Sequence, residues 1–312
     1  MKKRKLTTKP KERYVSCFMA EVVANLRQEG RMGTAHIYQS TCNRVNEFMQ
    51  GRPLAFSDVT PEWLSSFQMF LLARQLRWNT VSTYMRMLRA VYFRAVDAGI
   101  APYRSRLFNG VYTGTERSVK RAVGADVFRR LQEPLSTDHN LESARMLFLL
   151  LFMLRGIPFV DIAFMRRCDL NGDVISYRRR KTGSSLTVRV EPKAMELIRQ
   201  LQNKDKNSPY LFPCIQCPGS DEYRQYQRAL RTFNYRLYKM SKLLGDAGLL
   251  SSYTARHSWA TIANYQNYQS ELISNAMGHS SVKVTETYFK RHTDERINEM
   301  NRGILSYVFA FG

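Results

Sequence analysis

The chain has 312 residues, 44% of them hydrophobic, with 48 Lys and Arg against 26 Asp and Glu, a formal charge of +22. That length favours two domains. No apolar run is long enough to span a bilayer, and the start Met1-Lys2-Lys3-Arg4-Lys5 lacks the apolar stretch of a secretory signal. Surplus cation at this density calls for a polyanionic partner, nucleic acid before membrane, with a merely basic protein as the bland alternative. The 5 cysteines are an odd number without an export signal, which indicates reduced thiols and a cytoplasmic, nucleoid-associated location. Cys214 and Cys217 form a CxxC, but no second pair completes the four ligands of a zinc site, so an ordinary loop is expected and no metal or cofactor.

In chain order, residues 1–12 are polar and basic and read as a flexible arm. Val15, Phe18, Met19, Val22, Val23 and Leu26 recur at helical spacing, closed by Gly30, and a second helix runs from about Thr34 to Met49. A third begins at Thr60-Pro61, an N-cap followed by proline in the first turn. In the fourth, with Asn79 as its expected N-cap, Val81, Tyr84, Leu88, Val91, Tyr92 and Ala95 form an apolar stripe. The opposite stripe, Asn79, Thr83, Arg86 and Ala90, is polar, basic and small. It suits insertion into a DNA major groove, or is simply a solvated face. Residues 102–114, rich in Tyr, Arg, Gly and Asn, read as a linker between a 13–101 helical domain and a 115–300 domain.

Beyond the linker the pattern is mostly helical with one β element. Asp173–Tyr177 and Leu186–Val190 flank the turn Lys181-Thr182-Gly183-Ser184. Helices follow near Lys193–Gln202, Glu222–Leu244, Thr254–Tyr265, Leu272–Met277 and Val282–Tyr288, and residues 301–312 form an unusually apolar tail.

Three segments belong together: Tyr253-Thr254-Ala255-Arg256-His257, Met277-Gly278-His279 and Thr285-Glu286-Thr287-Tyr288. Their order and spacing resemble the tyrosine recombinase (phage-type integrase) family, including recombinases of mobile elements and invertible segments in gut commensals. The resemblance covers the catalytic half and, more loosely, the helices before it. It implies a mainly α fold with a small β-sheet: an N-terminal SAM-like core-binding domain followed by an α+β catalytic domain. It also implies a clamp on duplex DNA and four protomers exchanging strands on two sites. The tail would dock on a neighbouring protomer or on its own domain, and DNA-bending accessory proteins are further possible partners. Integration, excision and inversion stay open.

Breaking a phosphodiester needs an in-line nucleophile, cations on the phosphoryl oxygens and a proton for the leaving oxygen. The resemblance makes Tyr288 the nucleophile, conserving bond energy as a 3′-phosphotyrosine without ATP or metal. Arg256 becomes the phosphate clamp, and His279 a phosphate ligand or proton carrier. Lys181, in the run Arg178-Arg179-Arg180-Lys181, becomes the general acid, its proton release favoured by like-charge repulsion, or else part of a solvated basic turn. Arg178 and Arg180 would touch the DNA backbone, and Asp161 would support the arginines or serve as a helix N-terminal acid.

Two positions depart from the family. Tyr253 stands where a histidine is usual; a phenol donates a hydrogen bond but is a poor base. The adjacent His257 is expected to point elsewhere, since neighbouring helix positions face different sides. Pro158 aligns with the family's first catalytic arginine; it suits a helix start but binds no phosphate through its side chain. Either Arg155, a turn upstream, reaches the same oxygen, or it contacts the DNA backbone or solvent. The rival from another class is a DNA-binding or architectural protein that has lost catalysis at Pro158 and Tyr253. A type IB topoisomerase shares the nucleophile but matches the layout less well.

Overall fold

The computed structural model describes residues 14–116, 121–245, 248–279 and 281–289, with Asn301 and Ile304. The basic arm and nearly all of the apolar tail therefore lie outside the described residues. The chain divides into two compact units, Met1–Ser118 and Val119–Gly312, each with its own hydrophobic core. Among the described residues no helix is long and apolar enough to cross a membrane.

Among the described residues the first unit has four α-helices, α1 (Val15–Gln28), α2 (Met32–Phe48), α3 (Pro61–Ala73) and α4 (Trp78–Asp97), with a short 3-10 turn at Phe56–Asp58. Thr60 caps α3 by accepting a hydrogen bond from the Trp63 amide at 3.2 Å. Helix α4 begins two residues earlier than expected, with Arg77 at its N-cap, so Asn79 lies inside the first turn and does not cap. Val81, Met85, Leu88, Val91, Tyr92 and Ala95 bury its apolar stripe.

The segment expected as a linker is part of this unit. Leu107, Phe108 and Val111 are buried in its core, and Tyr92 donates to the Pro102 carbonyl at 2.7 Å. The aromatic and aliphatic side chains in this stretch gain more by burial than a solvated connector would.

The second unit contains α5 (Ala125–Arg130), α6 (His139–Met153), α7 (Phe159–Ala163), α8 (Pro192–Leu201), α9 (Glu222–Leu244), α10 (Thr254–Tyr265), α11 (Ser270–Met277) and α12 (Val282–Glu286). Helix α6 contacts α8, α9 and α10. It buries Phe148, Leu149, Leu150 and Leu151 in succession, so its sequence lacks the one-sided period that marks a surface helix. Strands β1 (Leu170–Asn171), β2 (Val174–Arg178) and β3 (Ser185–Arg189) form an antiparallel sheet in that order. Tyr177 pairs with Leu186 and Arg178 with Ser185, which places residues 179–184 at the tip of the hairpin.

Candidate active site

Arg256 enters the second unit from the first turn of α10 and is only 2% exposed. Its Nη1 donates to the Gly156 carbonyl at 2.8 Å and its Nη2 to the Met277 carbonyl at 2.8 Å. Nη2 also lies 2.6 Å from His279 Nε2. A guanidinium has no acceptor, so the imidazole accepts there, and its proton sits on Nδ1, which faces Thr285 Oγ1 at 2.7 Å. Thr285 is fully buried on α12. Burial and the positive charges of Arg256, Arg179 and Lys181 push the His279 pKa down to about 3, so the resting imidazole is neutral.

Tyr288 follows α12. Its ring stacks on His279 at 5.1 Å and lies 4.7 Å from the His257 ring, and the Arg256 guanidinium sits 5.6 Å from its centroid. The Tyr288 carbonyl accepts from Thr261 on α10 at 3.1 Å, tying the end of α12 to that helix. Tyr253 precedes α10; burial first and the nearby Tyr288 hydroxyl second raise its pKa. It stays a protonated donor at neutral pH.

Arg256, His279, Tyr253 and Tyr288 thus converge from three stretches of chain, Tyr253 and Arg256 both coming from the start of α10. His257 joins them, contrary to the expectation from helix geometry. Tyr288 arrives from outside α10 and spans its first turn, so positions 256 and 257 both meet the ring. Lys181 is exposed on the hairpin tip, near enough for its charge to act on His279.

Other expected residues go elsewhere. Arg155 has a left-handed backbone, φ 58°, and donates through Nη1 to the Thr187 carbonyl on β3 at 3.3 Å. Arg178 is exposed and donates to the Gly183 carbonyl within its own turn. Arg180 is exposed and lies over the Phe164 ring at 3.8 Å. In the first unit, Asn79 exchanges two hydrogen bonds with the Glu116 backbone, at 3.0 and 2.8 Å. Thr83 donates to the Asn79 carbonyl, and Arg86 is exposed. The amide of Asn79 is therefore spent on its own unit.

Pro158 is the N-cap of α7, and Asp161, 5% exposed, sits within that short helix. Asp161 Oδ1 accepts from the Arg180 amide at 2.9 Å, and Oδ2 is 3.5 Å from Arg179 Nε. Burial raises the Asp161 pKa while the Arg180 amide, Arg179 and Arg256 pull it down. Cys214 packs against the core and Cys217 is exposed. Among the described residues no cluster of three His, Cys, Asp or Glu could hold a metal ion.

A profile of the phage integrase SAM-like domain matches residues 15–106, and one of the phage integrase family matches residues 126–295. The chain belongs to the phage integrase family. Solved structures of other family members share its fold. The Tn1549 transposon integrase in complex with transposon right end DNA has a TM-score of 0.63 at 14% identity, covering 93% of this chain and 99% of that one. A lambda integrase dimer bound to a COC' core site gives 0.64 at 14% identity, covering 90% and 79%. A lambda integrase tetramer bound to a Holliday junction gives 0.64 at 12% identity, covering 91% and 80%. A search of curated protein sequences finds no match.

Within this integrase site, sequence reasoning missed Arg179 and Thr285. Strand alternation could have found the first, because Ile175 and Tyr177 alternate on β2 and Arg179, the next residue past the strand end, continues the same period of two. Thr285 carries no comparable signal; only the fold brings it to His279.

Proposed function

We propose that the protein is a site-specific DNA recombinase that cleaves and rejoins duplex DNA through a covalent bond between Tyr288 and a 3′ phosphate. The observation that carries this reading is the convergence of Arg256, His279 and Tyr288 around one ring contact. In the proposed step, Tyr288 Oη attacks phosphorus and loses its proton while the bond to the 5′ oxygen breaks. Lys181 supplies the proton that the leaving oxygen takes. Arg256 holds the non-bridging oxygens, whose charge grows as the bonds change. Neutral His279, whose Nε2 accepts from Arg256 and whose Nδ1 faces Thr285, holds the Arg256 guanidinium in place; the phenolic proton passes to solvent water, and Tyr253 donates a further hydrogen bond. Reversal with a second strand's 5′ hydroxyl rejoins the DNA, and four protomers on two sites would give integration, excision or inversion.

Pro158, where an arginine would be expected, favours one second reading: a DNA-binding or architectural protein without catalysis. A single experiment separates the two. The protein is incubated with a pool of nicked random-sequence duplexes, and DNA that stays attached after SDS is recovered and sequenced. Wild type is expected to capture a defined set of duplexes, each through its 3′ end with a free 5′ hydroxyl released. Tyr288→Phe should capture none. DNA binding without any adduct would establish the second reading, and an adduct surviving in Tyr288→Phe would move the nucleophile elsewhere.

A further inference from the structure

We infer that Arg179 is the site's second phosphate-binding arginine, supplying from the β hairpin the guanidinium that the chain forgoes at Pro158. The inference rests on reading the site as a phosphodiester-cleaving centre.

Of the three arginines at the hairpin, only Arg179 is buried, at 4% exposure. A buried guanidinium needs an anion, because removing its charge from water is costly. Asp161 is the nearby buried carboxylate, and it meets Arg179 only loosely. The 3.5 Å separation leaves Arg179 Nε and Asp161 Oδ2 both without a hydrogen-bond partner among the described residues. Arg256 Nε is buried and lacks a partner in the same way. One carboxylate thus faces two guanidiniums whose charges act on each other, and Lys181 adds further positive charge. The cluster is short of negative charge, and a phosphodiester provides it.

Position supports the same role. Arg179 Nη1 donates to the Gly278 carbonyl at 2.6 Å, and Arg256 Nη2 donates to the Met277 carbonyl at 2.8 Å. The two guanidiniums are therefore held by consecutive carbonyls, directly before His279. Gly278 has φ 61°, and a Cβ there would fall 2.8 Å from Arg179 Cδ, so the arginine stem is seated against the turn that presents His279. Two forked donors side by side match the two non-bridging oxygens of a phosphate.

A solely structural arginine would also be buried beside Asp161, so the test separates charge neutralisation from scaffolding. A duplex recovered in the capture experiment is remade with a methylphosphonate at the cleaved position, which removes the negative charge from that phosphate. Arg179→Ala should lose adduct formation by about 10²-fold on the ordinary duplex, the usual scale for one lost oxyanion donor. On the methylphosphonate duplex it should match wild type, because no charge remains to neutralise. Equal losses on the two duplexes would show that Arg179 only positions Gly278 and His279, and undiminished cleavage of the ordinary duplex would show no role; either overturns the inference.

If Arg179→Ala shows no cooperative melt, the double variant Arg179→Met/Asp161→Asn carries the test, since it leaves no unpaired buried carboxylate. The same substrate-dependent pattern is expected from it. Failure of wild type to form any Tyr288-dependent adduct is a different result, and it overturns the recombinase reading itself.

Discussion

Gly156 and Arg256 are in backbone contact: a Cβ on Gly156 would lie 2.8 Å from Arg256 Cα. The loop after α6 needs a left-handed residue there, φ 66°, and α10 leaves no room for a side chain. Gly156→Ala should therefore destabilise the protein by about 2 kcal/mol or more, combining left-handed strain with overlap against backbone. Denaturant unfolding measures this, and a loss near zero would show that the loop shifts aside freely.

The depressed His279 pKa predicts a pH dependence of stability. The unfolded chain protonates this imidazole below about 6.5, and the folded chain only near 3. Between those values the unfolded state holds the extra proton, so stability falls as pH drops through the window. The slope from this group should reach up to about 1.4 kcal/mol per pH unit. His279→Gln, which keeps an acceptor for Arg256 and does not titrate, should show a shallower decline in denaturation midpoints across the same series. Parallel curves would mean that the imidazole titrates alike in both states.

Arg155→Ala should leave adduct formation close to wild type, well short of the roughly 10²-fold loss that follows removal of an oxyanion donor. Its guanidinium is directed to the Thr187 carbonyl. Capture assays with the recovered duplexes settle the matter, and a full-sized loss would place Arg155 at the phosphate.

Asn79→Ala should lower the stability of the first unit by about 1–2 kcal/mol, because two hydrogen bonds to the Glu116 backbone disappear. Discrimination among DNA sequences should be unchanged. Fluorescence anisotropy with single-base variants of a recovered duplex checks this; relaxed preference at one base pair would assign Asn79 to base readout.

The helical plan and the hairpin were legible because their patterns are local. Thr60-Pro61 announces α3, and the apolar stripe of α4 and the alternation of β2 and β3 declare their elements. The grouping of Arg256, His279 and Tyr288 was legible through resemblance and spacing. What the sequence hid depends on partners remote in the chain. Residues 102–114 look like a connector until Tyr92 and the first core claim them. Asn79 looks free until Glu116 folds back to it. His257 faces away from Arg256 on α10 considered alone, but Tyr288 comes from beyond α12 and meets both. Arg179 is hidden in a run of like residues, of which only the middle one is buried.

That run has a consequence for register. Arg178, Arg179 and Arg180 stand in sequence, and only the middle one occupies the buried slot beside Asp161. Gaining or losing one residue just after Tyr177 would leave Ile175 and Tyr177 on their present face and bring Arg178 or Arg180 into that slot. The triplet makes the charge of the slot indifferent to a single-residue change in strand length.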